Sequence, residues 1–94
     1  MSPQQIHIKA HDNVLQGVYA NVLQISHTKE EVVFDFLNVM PPQGQLVSRV
    51  ITSPGHAKRI LTALADNLKR YEAQFGAVTA AKPPAGEFGF TPTG

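Results

Sequence analysis

Apolar and polar positions alternate in the first half of the chain and turn helical in the second. Gln5-Ile6-His7-Ile8-Lys9 alternates strictly, the pattern of a short strand with one buried face. A longer extended stretch is expected from Val14 to Ser26, bent or bulged at Gly17, and a third from Glu31 to Val39, rich in β-branched and aromatic residues. His11-Asp12-Asn13 and His27-Thr28-Lys29-Glu30 separate them as turns. Met40-Pro41-Pro42-Gln43-Gly44 breaks the pattern as a loop, and Gln45 to Thr52 reads as a fourth strand. The period then changes. Ala57, Leu61, Leu64, Leu68, Tyr71 and Phe75 follow one another at steps of four and three, the seam of an amphipathic helix that Ile60 widens. Ser53 can cap its first turn and Pro54 fits the first helical position. Gly76 is the residue type that ends helices.

A hairpin loop centred on Thr28-Lys29 sets the register of the second and third strands. It places Ile25 opposite Val32, Leu23 opposite Phe34 and Asn21 opposite Phe36 on one apolar face. The other face carries Gln24 with Val33, Val22 with Asp35, and Ala20 with Leu37. The expected architecture is α+β: a four-stranded antiparallel sheet followed by one long C-terminal helix packed on one face, in the order β-β-β-β-α. One helix covers one face. The second face, with Val18, Val22, Val33 and Leu37, and the seam residues Leu64 and Leu68 then predict a contact surface, and a homodimer is the simplest assembly.

With 94 residues the chain is long enough for one small core. The division expected is a domain over residues 1–76 and a flexible tail over 77–94, rich in Ala, Pro and Gly. Within the tail, Phe88 and Phe90 of Glu87-Phe88-Gly89-Phe90 either dock on a partner protein or fold back on the domain. The absence of cysteine excludes disulfides and thiolate metal sites. No apolar run reaches membrane-spanning length, and the N-terminus lacks the basic-then-apolar pattern of a signal peptide. The expected location is cytoplasmic.

Particular residues then carry a resemblance. Gly17-Val18-Tyr19-Ala20-Asn21, Ile25-Ser26-His27, Val33-Phe34-Asp35-Phe36, Ser48-Arg49-Val50-Ile51-Thr52-Ser53-Pro54, Ala57-Lys58, Asn67 and Tyr71-Glu72-Ala73-Gln74-Phe75-Gly76 together resemble the uncharacterised-domain family 3467, over roughly residues 5–78. The resemblance implies a shared small fold in short prokaryotic proteins of unknown function; it brings no activity, cofactor or catalytic residue. The four-strand-plus-helix order is also similar to that of the Pur-alpha repeat, a nucleic-acid-binding module that dimerises, on topology alone.

Candidate chemistry is sparse. The histidines His7, His11, His27 and His56 form no metal-ligand spacing, so no metal and no cofactor are expected. There is no nucleophile elbow and no Gly-rich phosphate loop, so the chain is read as non-catalytic. Asp35, between Phe34 and Phe36 on a strand, points to the second face, where a structural ion pair with Arg49 is expected. Asn21, on the apolar face, has to be hydrogen-bonded there. The helix start carries His56, Lys58 and Arg59, cations at the end of the dipole that disfavours them, with Arg49 just upstream. These four are the candidate anion or nucleic-acid contacts, although the net charge is only +1. Two readings follow: a homodimeric protein-interaction module, and a nucleic-acid binder using the helix start and the sheet.

Overall fold

The computed structural model describes residues 3–82, 88–90 and 92. It contains helix α1 (Asp12–Leu15), strands β1 (Val22–His27), β2 (Val32–Met40) and β3 (Gln43–Thr52), and helix α2 (Pro54–Phe75). The strands form one antiparallel sheet in the order β1-β2-β3. The α+β class and the C-terminal helix are as the sequence predicts; the sheet has three strands rather than four.

The missing strand is Gln5–Lys9, which has no secondary structure. Alternation makes a segment compatible with a strand, but a strand exists only where a neighbour accepts its hydrogen bonds. The stretch that follows also differs. Val14 and Leu15 belong to the single turn of α1, and Gly17 stops that turn at φ 75°, a conformation open to glycine. Gly17 is therefore a helix stop rather than a bulge, and β1 begins only at Val22.

The β1–β2 hairpin pairs His27 with Val32, Ile25 with Phe34 and Leu23 with Phe36. This is a two-residue shift from the expected register. Its cause lies in the loop. The Thr28 N–H donates to the Glu31 carbonyl at 2.9 Å, and the Thr28 hydroxyl accepts from the Glu30 and Glu31 N–H groups at 3.3 and 3.2 Å. The turn is thereby centred on Lys29-Glu30. A shift of two preserves the faces: Leu23, Ile25, Phe34, Phe36 and Val50 share one, while Val22, Asp35, Leu37 and Arg49 share the other. The second hairpin is tighter than expected. Only Pro41-Pro42, joined by a cis peptide bond, separates β2 from β3, and Gln43 and Gly44 enter the strand. Phe36 pairs with Ser48 and Leu37 with Leu46, so Val47 is the extra residue of a β-bulge.

Helix α2 has the predicted limits. The Ser53 hydroxyl accepts the His56 N–H at 3.1 Å, Pro54 opens the first turn, and Gly76 closes the last at φ 95°. Tyr71 and Phe75 pack along the seam with ring centroids 4.9 Å apart and the planes tilted by 48°. Its placement is not as expected. No α2 residue is buried, and the helix makes at most marginal contact with any strand. The connection explains this. A strand that turns into a helix packed back on its own sheet generally uses two to six linking residues. Here Ser53 alone links Thr52 to Pro54, in an extended conformation (φ −81°, ψ 155°).

The core is correspondingly small. Phe34, Leu37 and Val39 are its buried apolar residues, all on the central strand. The Cα radius of gyration is 16.6 Å, against roughly 12 Å for a compact chain of this length. The accessible surface is 8901 Å², against about 5,300 Å² for a folded monomer of this mass.

Candidate protein interface

Two apolar surfaces remain open. The first is the α2 seam: Leu61, Leu64, Leu68, Tyr71 and Phe75 are all exposed, Leu64 at 56% and Leu68 at 47%. The second is the sheet face expected to lie beneath the helix. Phe34 at its centre is sheltered by its neighbours, but Ile25 is 59% exposed, and Leu23 and Val50 are nearly as open. On the face expected to be free, Ile51 is 54% and Leu46 38% exposed, but its middle is covered. Leu37 is buried there, Val22 and Val33 are half-buried, and Val18 lies outside the sheet, exposed on the segment before β1. Of the interface residues the sequence proposes, Leu64 and Leu68 thus lie on an open surface and Leu37 does not. The sequence reading missed Leu23 and Ile25 because it placed them under the chain's own helix, and it gave Val50 no face.

The middle of the second face is held by polar chemistry. Asp35 and Arg49 are cross-strand partners, and the Arg49 Nε and Nη2 donate to the two carboxylate oxygens at 2.6 and 3.0 Å. Asp35 is only 5% exposed and none of its buried polar atoms lacks a partner. The ion pair expected from the sequence is present and bidentate. Hydrogen bonds from Arg49 hold the Asp35 carboxyl below the usual range; burial opposes this shift, and the charge of Arg49 reinforces it. The same hydrogen bonds raise the Arg49 pKa.

This predicts a specific pH dependence. A carboxyl whose pKa is lowered on folding contributes stability that is fully present above its unfolded value of about 3.9. The contribution is lost as pH falls through the lower folded value. The urea midpoint of the unaltered chain should exceed that of Asp35→Asn above that range, and the difference should close at lower pH. A difference that is constant with pH would show that the charge on Asp35 is immaterial.

Arg49 also faces the tail. Its guanidinium carbon lies 5.9 Å from the centre of the Phe90 ring. Phe88, Gly89 and Phe90 flank an open groove of about 710 Å³ with Leu37, Val39 and Leu46. Phe88 is half-buried there, so this part of the tail folds back on the domain. Glu87 and residues 83–86, 91, 93 and 94 of the expected flexible tail, like Met1 and Ser2, lie outside the described residues. Val78 is tied to the helix end by its N–H, which donates to Glu72 Oε2 at 2.9 Å.

The four candidate anion contacts are not equivalent. Arg49 is committed to Asp35 on the sheet, while His56, Lys58 and Arg59 are exposed in the first turns of α2. The backbone N–H groups of His56 and Ala57 donate to the Ser53 hydroxyl and carbonyl, so the cap already occupies part of that helix end. The four-strand order behind the likeness to the Pur-alpha repeat is not present, because the first strand does not form. Among the described residues, no three of His, Asp and Glu gather as metal ligands, and no helix is long and apolar enough to cross a membrane.

Asn21 has the structural role that its position demanded. Its backbone N–H donates to the Leu37 carbonyl at 2.9 Å. Its side-chain amide donates to the Val39 carbonyl and accepts the Val39 N–H, both at 2.8 Å. The side chain thus extends the β1–β2 ladder past the end of β1.

Among curated proteins and solved structures, nothing matches the chain. A family model does match, over residues 1–80: the whole described domain, from the N-terminal arm through α2, and the first residues of the tail. The chain belongs to that family, described as proteins of unknown function (DUF3467).

Proposed function

We propose that this chain is a non-catalytic, homodimeric protein-interaction module. The observation that supports this is the uncovered seam of α2. An amphipathic helix in a protein takes most of its stability from packing its apolar face rather than from propensity, and all 22 residues of α2 lack such packing. The chain's own sheet does not provide that packing. A stable complex covers roughly 800 Å² per partner, and the seam residues Leu61, Leu64, Leu68, Tyr71 and Phe75, 47–68% exposed, are apolar surface open to one. A second copy is the partner always available at matching concentration, and two-fold pairing is the commonest closed assembly.

Light scattering over a range of protein concentrations tests this. The expected mass is twice the 10.2 kDa of one chain at micromolar concentration. A single-chain mass would overturn the proposal.

The alternative carried from the sequence is nucleic-acid binding through His56, Lys58 and Arg59 at the helix start, with Arg49 upstream. Sheet-based single-strand binders stack bases on exposed aromatics flanked by cations. Phe34 is buried, and Arg49 is held by Asp35, so protein interaction is the better supported reading. Titration with single- and double-stranded oligonucleotides at low salt, where phosphate contacts are strongest, separates the two.

A further inference from the structure

Resting on that homodimeric reading, we infer that the dimer forms by reciprocal helix exchange: α2 of each copy lies across the Leu23–Ile25–Phe34–Phe36–Val50 sheet face of the other. Three observations support this.

The two open surfaces are complementary in size. A helix with its side chains is about 10 Å across. Three strands about 4.8 Å apart present a face that one helix covers. The 22 residues of α2 run about 33 Å and the strands from about 20 Å in β1 to about 33 Å in β3, so the helix spans the face.

The two surfaces also belong together by sequence. The face carries two phenylalanines and three aliphatic residues, and the helix seam is apolar over five turns. Yet within one chain they stay apart, because the single residue Ser53 carries α2 onward from the end of β3. A helix that does not pack on its own sheet can still cover the sheet of a copy related by a two-fold axis, and the relation then holds in both directions.

Exchange also leaves less apolar surface open than the competing dimer. Two α2 helices packed only on each other would cover their seams but leave Ile25, Leu23 and Val50 of both sheets in water. Helix-on-sheet exchange covers both surfaces at once.

The absence of cysteine gives a clean test. Chains carrying Ile25→Cys, Leu64→Cys or both are treated with a bifunctional maleimide and analysed by denaturing electrophoresis. Both positions are exposed within one chain, so neither change removes a core contact. The pair Leu23→Cys and Leu68→Cys serves as a second set should the first fail to fold. The expected result is a covalent two-chain band from the double variant and much less from either single one. A strong two-chain band from Leu64→Cys alone would mean that helices pair with helices. A cross-link confined within one chain would mean that the helix covers its own sheet. Either result overturns exchange while leaving the dimer intact. No cross-link in either set, with a two-chain mass by light scattering, also overturns it. A one-chain mass overturns the dimer itself.

Discussion

Glutamate at both Leu64 and Leu68 is expected to convert a two-chain species into single chains and to lower the helical content with it. Both leucines sit mid-seam and are exposed within one chain, so their replacement removes nothing from the chain's own core. In the proposed dimer they become buried, four leucines in all. Burying a leucine side chain is worth about 1.5–3 kcal/mol, which gives about 6–12 kcal/mol for the assembly. At 1.4 kcal/mol per tenfold, association should weaken by at least about 10⁴-fold. Four introduced carboxylates facing an apolar surface add to the loss. A released α2 has no surface to pack on and should lose helicity, because an amphipathic helix draws most of its stability from packing. Sedimentation or light scattering across concentration measures the first effect and far-UV circular dichroism the second. Lys69→Glu, on the polar side of the helix, is the control and should change neither. Equal effects from Lys69→Glu and the leucine pair would mean that the seam has no special part in assembly.

The parts of this fold that were legible in the sequence are those whose causes are local. Helix α2 was legible to the residue because chemistry marks both ends: a hydroxyl that caps, a proline that cannot be interior, and a glycine that reaches φ 95°. Strand β2 was legible because a run such as Val-Val-Phe-Asp-Phe has few other uses. The register was off by two because it turned on which residue organises the loop. Thr28 bonding back to the Glu30 and Glu31 N–H groups is a local effect, but one that competes with several similar turns. The Asp35–Arg49 pair survived that error. A two-residue shift keeps both side chains on the same face, and the second hairpin brings them opposite each other.

What was not legible depended on distant partners. Gln5–Lys9 alternates as a strand does, yet whether it becomes one depends on a free edge elsewhere. The absence of a linker before α2 was visible, and its consequence was missed: a helix joined through Ser53 alone cannot be assigned to its own sheet. Leu23 and Ile25 were therefore taken as covered, and the opposite face as the open one. The anion candidates show the same asymmetry. The cationic residues at the start of α2 were plain from the sequence, but the commitment of Arg49 to a carboxylate appears only once the strands are paired.

Asn21→Ala is expected to destabilise the sheet by about 2 kcal/mol, through hydrogen bonds rather than packing. The Asn21 amide makes both a donor and an acceptor bond to Val39 at 2.8 Å. Alanine leaves the N–H and C=O of a buried residue on the central strand to find water instead. Asn21 itself is exposed, so water reaches part of the site and keeps the loss below that of two fully buried groups. In a domain of this size a loss of about 2 kcal/mol lowers the melting temperature by roughly 10 °C. Melts must be compared at equal protein concentration, since assembly is linked to folding. Asn21→Asp separates the two bonds. Its carboxylate still accepts the Val39 N–H but cannot donate to the carbonyl and repels it, so its melting temperature should stay well below that of the unaltered chain. If both variants melt with the unaltered chain, the ladder does not depend on this side chain. If both fall, the Gly17–Asn21 segment, which is among the residues that carry the family resemblance, is required for a structural reason: it brings an amide to the end of β1 where the backbone ladder stops.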